Sequence, residues 1–294
     1  MNSVTPSNHP IVEIDHLLTY VQSLDQAAAS FRRMGFTLSP VSHIESMGIA
    51  NHLLLMQPRT PGSGNFVELM AAHDRAKLPA VMARTLAGEQ GIKSMVLGVS
   101  DAAAARETLL AQGFQTEPPS HVRREWIIGP GESVFPEFDV LLPVEAPLSF
   151  NCCRYYNVEL YLRPQWREHD NGALGLRSVL AVADRPSEVA ALYARVFSAG
   201  IRQDGEATLV SPGAVDLVIS TERAMQERYG VGPIAWRGPA AYLGYVVEVE
   251  SCERLVASLQ RGSVPFWRCG EKVCVGPDVG CGNLIVFEPT RNGR

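Results

Sequence analysis

One pattern occurs four times along the chain: an apolar strand, a small polar break, an alanine-rich amphipathic helix, a glycine, then further strands. A recurrence of this kind narrows the fold more than composition can, because each copy has to be one supersecondary unit. The first copy, EIDHLLTYVQSLDQAAASFRRMGF, has Asp25 opening a helix that carries Ala28, Phe31 and Met34 on one face, with Gly35 stopping it. The second, IKSMVLGVSDAAAARETLLAQGF, repeats the spacing: His16 stands 19 residues before Gly35, and Ser94 stands 19 before Gly113. The third, LRSVLAVADRPSEVAALYARVFSAG, has Pro186 near its helix start and Gly200 after its end. The fourth, LGYVVEVESCERLVASLQRGSVPF, is followed through Gly262 by the strand-like runs KVCVG and NLIVFEP, as HLLLMQ and NFVELM follow the first.

Each copy therefore reads β, α, then about three strands, a βαβββ module in the α+β class. One such module cannot cover its own half-exposed sheet, so two must pair into a curved sheet with a cleft, and four make two clefts. The spacing places the first pair at 1–150, a junction at 151–175 containing Tyr155, Tyr156, Trp166 and the polar run REHDNG, and the second pair at 176–294.

Hydrophobic residues make up 46% of the chain, enough for real cores, and 26 basic against 31 acidic residues leave a net charge of -5. That balance gives no electrostatic ground for binding nucleic acid or an anionic membrane, and it points to a small neutral or anionic molecule as partner. Pairing of modules within one chain leaves a homodimer open. The N-terminal run MNSVTPSNHP has neither a charged nor an apolar signal region, so a cytoplasmic protein is expected. Six cysteines are too sparse for a disulfide scaffold and read as reduced thiols. Cys269, Cys274 and Cys281 lie close enough in sequence to raise a zinc site, although no CxxC pair is present.

The strings IDHLLTYVQSLDQAAASFRRMGF, HIESMGIANHLLL and GNFVELM resemble the glyoxalase-like subfamily of the vicinal oxygen chelate superfamily, most closely over residues 11–75. LRPQWREHDNGALGLRSVLAV is similar to the segment that follows in two-part members. The resemblance implies curved-sheet clefts of the glyoxalase and bleomycin-resistance kind. It also implies one divalent ion (Zn, Mn, Ni or Fe) bound by a histidine on the first strand of a module and a glutamate on its last, here His16 and Glu68. Alternation along a strand puts His16 on a face with Ile14 and Leu18, and Glu68 on a face with Phe66 and Met70. A carboxylate there is costly to bury unless it is paired or bound to metal. The plainer reading is a satisfied core histidine, with Glu68 paired to an arginine or an amide.

The second module departs from the pattern, with Ser94 where His16 stands in the first. All seven histidines fall within the first 169 residues. Ser178, Tyr245 and Val286 occupy the ligand positions expected in the later modules, which argues against an extradiol ring-cleaving dioxygenase. Glu68 and His43 are the expected catalytic groups, with His43 as a proton shuttle. Asn51, His52, Arg124, Trp126 and His169 are the expected substrate-binding residues, Arg124 by pairing with an anionic group and Trp126 by stacking. The function these features suggest is a metal-dependent isomerase or lyase acting on a small molecule with two neighbouring oxygens. The alternative is a metal-free protein that sequesters a small molecule between Phe66, Trp126 and Trp166.

Overall fold

In the computed structural model, residues 9–290 are described; the polar N-terminal run up to residue 8 lies outside them. The first module is β1 (Ile11–Tyr20), α1 (Leu24–Arg33), β2 (Ser42–Ile44), β3 (Ile49–Leu55) and β4 (Phe66–Ala72). A short helix α2 (Ala80–Thr85) leads to the second: β5 (Gly91–Val99), α3 (Ala102–Ala111), β6 (Ser120–Arg123), the hairpin β7 (Trp126–Gly129) and β8 (Glu132–Val134), β9 (Glu137–Val144) and β10 (Phe150–Tyr155). After α4 (Pro164–Arg167), the third module is β11 (Ala173–Ala183), α5 (Pro186–Phe197), β12 (Ile201–Asp204), β13 (Ala207–Val210) and β14 (Asp216–Ser220). Helix α6 (Glu222–Tyr229) precedes the fourth: β15 (Ala240–Val249), α7 (Cys252–Arg261), β16 (Trp267–Cys269), β17 (Lys272–Val275) and β18 (Leu284–Pro289).

The four modules form two eight-stranded sheets, ordered β2-β3-β4-β1-β5-β10-β9-β6 and β12-β13-β14-β11-β15-β18-β17-β16. In each, two modules meet along their first strands, β1 against β5 and β11 against β15, both antiparallel. The duplication extends to defects in the ladder. Register breaks at Ile11/Glu13, Ile14/His16 and Leu18/Thr19 in β1 recur at Ala173/Gly175, Leu176/Ser178 and Leu180/Ala181 in β11. The junction expected from residue 151 starts too early, because Phe150–Tyr155 is β10, paired with both β5 and β9 inside the first sheet.

Local chemistry sets each helix. Ser23, Asp101 and Ser251 accept hydrogen bonds from the backbone at the starts of α1, α3 and α7, and Pro186 occupies the first turn of α5. The apolar faces of these four helices and the helix-bearing faces of both sheets share one continuous core, running from Leu17, Phe31 and Leu97 to Val179, Tyr193 and Leu255. The opposite faces differ in how they are filled. On the second sheet Leu180, Val182, Val218, Val246 and Val286 are covered by Met225 and Tyr229 of α6. On the first sheet, α2 brings Met82 over Leu18, Ile44 and Met70 at one end, and Trp126, Tyr161 and Trp166 pack on Leu53 and Phe66 at the other. Between these two clusters a cavity remains.

Candidate functional site

The cavity of the first sheet is about 90 Å3 and is walled mainly by apolar side chains, with His16, Asn51, Glu68 and Arg124 among its polar members. Its chemistry begins at the bulge between Ile14 and His16. An uninterrupted strand would put Ile14 and His16 on one face; the bulge instead sends Ile14 into the shared core while His16 and Leu18 face the cavity. The expected grouping of His16 with Ile14 is corrected on this point, and that with Leu18 is kept.

Between them Asp15 is fully buried. Its carboxylate accepts from His16 Nδ1 at 2.7 Å, from the Gly64 amide at 2.5 Å and from the Tyr155 hydroxyl at 3.2 Å. The imidazole lies flat on Phe66, with centroids 4.1 Å apart. Gly64 is required here, since a Cβ at this position would stand 2.6 Å from the Phe66 ring. With Nδ1–H given to Asp15, His16 turns Nε2 toward Glu68, whose Oε2 is 3.8 Å away. The other oxygen, Oε1, accepts from Asn51 Nδ2 at 2.6 Å. His16 is 6% exposed and Glu68 7%, so the pair lies largely out of water, where electrostatic interactions are strong. Burial and the nearby Asp15 hold the Tyr155 hydroxyl well above the usual tyrosine range, so it stays protonated and donates. Burial likewise pushes the Cys153 thiol well up, leaving it a neutral wall rather than a thiolate ligand.

Of the catalytic, metal-binding and substrate-binding residues expected from the sequence, His16, Glu68, Asn51 and Arg124 line this one cavity. Four others lie elsewhere. His52 follows Asn51 on β3 and takes the opposite face; its Nδ1 bonds the Ser39 carbonyl at 2.7 Å, and burial lowers its pKa. His169 bridges the Thr37 amide, 3.0 Å from Nδ1, and the Leu55 carbonyl, 2.9 Å from Nε2, so both ring nitrogens serve the backbone and neither reaches a ligand. Trp126 is buried behind the cavity wall with Nε1 donating to Val41 O at 3.2 Å. His43 is exposed on β2 beside Glu45 and His73 and lines an outer groove, not the cavity. For His52 and His169 the substrate-binding reading gives way to a structural one. Asp15, Gly64 and Tyr155 are not among the site residues expected from the sequence. The dipeptide Asp15–His16 was the available signal, hidden by the assumption of regular alternation.

The registers also fix which residues are equivalent between modules. Ser94 matches His16 and Asn151 matches Glu68, and the Ser94 hydroxyl donates to Asn151 Oδ1. In the second sheet the matching pairs are Ser178 with Val218 and Gly244 with Val286. Gly244 therefore replaces Tyr245, the expected counterpart; Tyr245 points into the shared core, and a Cβ at Gly244 would meet the Leu284 carbonyl at 1.8 Å. Cys269, Cys274 and Cys281 gather into no three-ligand cluster among the described residues, and Cys269 Sγ instead bonds Arg228 O.

Two curved sheets of paired βαβββ modules, one of them enclosing a buried His–Glu pair, define a protein of the vicinal oxygen chelate class. The profile of the glyoxalase-like domain matches residues 14–197, and the chain belongs to that family. A hypothetical protein from Staphylococcus aureus has a similar structure, with TM-score 0.66, 13% identity and coverage of 94% of this chain and 98% of that one. A mutant of 4-hydroxymandelate synthase from Streptomyces coelicolor superposes with TM-score 0.57 at 11% identity, covering 97% and 94%. The Mn(II)-bound glyoxalase from Novosphingobium aromaticivorans does so with TM-score 0.56 at 12% identity, covering 95% and 82%. Likeness at these identities is one of fold. No curated protein sequence matches the chain. Among the described residues no helix is long and apolar enough to cross a membrane.

A divalent ion, which the resemblance implies, can be tested against the donors. His16 Nε2 and Glu68 Oε2 are 3.8 Å apart, within reach of one ion with bonds of about 2.1 Å. A carboxylate behind the other ring nitrogen is the usual support of a metal-bound imidazole. Ser94 and Asn151 are neutral and bonded to each other. The residues present thus fit an ion with two protein ligands whose other positions stay open to water or substrate oxygens.

Proposed function

We propose that this chain is an enzyme of isomerase or lyase type that moves a proton on a small molecule bearing two neighbouring oxygens, with His16 and Glu68 as its working pair. The observation that carries the reading is the buried line Asp15, His16, Glu68, in which a fully buried carboxylate fixes the imidazole and turns its free nitrogen toward a second carboxylate. Asn51 anchors one oxygen of Glu68 and leaves the other to take a proton from carbon beside a carbonyl. His16 Nε2 is placed to accept or return that proton at the adjoining oxygen. Apolar walls exclude water and keep the transferred proton on these groups. One Zn, Mn, Ni or Fe ion, held by His16 Nε2 and Glu68 when bound, would supply Lewis-acid stabilisation of the oxyanion in place of the imidazole and leave the proton transfer to Glu68. A cytoplasmic setting is in keeping with six cysteines that are all unpaired.

A second reading, a metal-free protein that sequesters a small molecule, is favoured by one specific observation: the neutral Ser94–Asn151 pair at the positions equivalent to the two ligands. The two readings separate in one experiment. Purified protein is analysed for metal before and after reconstitution, then incubated with hydroxyketones, vicinal diols and catechols in deuterated water. The enzyme reading expects about one ion per chain, lost in His16→Ala and Glu68→Ala, and deuterium entering beside a carbonyl at a rate cut at least about a hundredfold by Glu68→Gln. Ligand binding without exchange, equal in wild type and Glu68→Gln, would establish the sequestering protein instead.

A further inference from the structure

We propose that the molecule taken by the first cavity is apolar and carries a single negative charge, and that Arg124 receives that charge. The inference rests on the placement of the reaction at His16 and Glu68 and names the substrate class for that site. Among the described residues Arg124 is the one arginine or lysine lining the cavity, whose walls are otherwise mostly aliphatic, aromatic or thioether. It also lines the outer groove of about 560 Å3 between residues 41–47 and 120–127, so its guanidinium stands where groove and cavity join. It donates to the Ser42 hydroxyl and lies 5.6 Å over the Trp126 ring, while its buried Nε has no partner. Neighbouring cationic groups are engaged: Arg123 is paired with Glu137, and His121 with Asp139 and Glu137. Arg124 has no carboxylate within ion-pair distance among the described residues, an unusual state for a partly buried guanidinium with a donor to spare.

The acidic groups fix the orientation. Glu68 lines the cavity and Asp15 is fully buried behind His16, so an acidic group placed against His16 and Glu68 would meet two carboxylates in a site of low polarity. An acid held at Arg124 avoids that repulsion and lays its apolar body along Met47, Met70 and Phe138, with its inner atoms toward His16 and Glu68. A second acidic group has no cation to meet inside, which excludes dianions of similar size.

Calorimetry with two matched pairs tests this: 3-phenylpropionate against 3-phenylpropionamide, and hexanoate against hexanamide. Wild type is expected to bind each acid at least about tenfold more tightly than its amide. Arg124→Gln should bring the acid down to the affinity of the amide and leave the amide unchanged, and Arg124→Lys should keep part of the preference. Equal binding of acid and amide to wild type, or failure of both acids to bind, overturns the proposal, and this comparison decides even if Arg124→Gln does not fold. Binding is read without turnover, so the two readings fail separately. A chain that prefers the acids yet shows no deuterium exchange keeps the Arg124 assignment and loses the proton-transfer one; the reverse result removes only the substrate class.

Discussion

Asp15 is the residue that fixes the orientation of a buried histidine. Three donors converge on its carboxylate, and without it nothing would fix which nitrogen of His16 carries the hydrogen. Asp15→Asn keeps the shape and removes the full charge, so nitrogen NMR of His16 should change from a single Nδ1–H form to a mixture of tautomers. An unchanged spectrum would show that Phe66 and Glu68 suffice to orient the ring. His169 supports a different prediction, one of stability. Burial pushes it down to about 4, from an ordinary value of 6.5. Between those values the unfolded chain binds a proton that the folded chain refuses, so stability is full above pH 6.5 and falls as pH drops toward 4, by about 3 kcal/mol for this 4%-exposed ring. Burial lowers His52 in the same sense, so His169→Asn should reduce, not abolish, the loss in urea midpoint between pH 7 and 4.5. A wild-type midpoint that holds through this range would contradict neutral burial. His16 and Glu68 could be picked from sequence because they stand where the family resemblance implies a histidine on the first strand of a module and a glutamate on its last. The roles of His52 and His169 could not, because a buried histidine that satisfies backbone groups and one that faces a ligand have the same local pattern.

At the scale of the element, what the sequence reveals depends on periodicity. The repeated order of apolar strand, helix and glycine marks all four modules, since helix faces and strand runs are set by local burial. Three features escaped it. Bulges in β1 and β11 leave no compositional trace, yet they decide which residues face the cavity. Helix α2, in the connection between the first two modules, and hairpin β7–β8, an insertion within the second, close the two ends of the first cavity. Helix α6 accounts for the difference between the two sheets: the matching face of the second sheet carries Val218 and Val286, and Met225 and Tyr229 fill the space above them. This assigns α6 a packing role, so Met225→Ala should cost roughly 2–5 kcal/mol in urea denaturation. Ligand affinity at the first cavity should be unaffected. A loss well under 1 kcal/mol would mean that the second sheet retains free space and is a second binding cleft.

In the whole molecule the two sheets are not independent bodies, although the repeat invites that description. One apolar core contains residues from both, and polar groups fasten the halves where they meet. Asn65 mimics a strand neighbour, accepting from the Leu176 amide at 2.6 Å and donating to its carbonyl at 3.2 Å. Glu13 accepts from the Ala214 and Val215 amides at 2.7 and 3.1 Å, and Asn283 accepts from the Ile92 amide at 2.9 Å. Separating the halves would expose Leu17, Leu97, Val179 and Tyr193 to water together with these backbone groups, so neither half keeps a complete core alone. The chain should therefore unfold in one step. Trp126 and Trp166 report on the first half, Trp236 and Trp267 on the second. Tryptophan-to-phenylalanine variants that isolate either pair should give the same urea midpoint, equal to that from circular dichroism. Asn65→Ala, which strands a buried amide and carbonyl of Leu176, should lower both midpoints together, by about 1–3 kcal/mol for each unsatisfied group. Two distinct midpoints, or a shift confined to one reporter pair, would show that the shared core couples the halves less than their own sheets hold them, and the cavity would then belong to a unit able to fold without the second sheet.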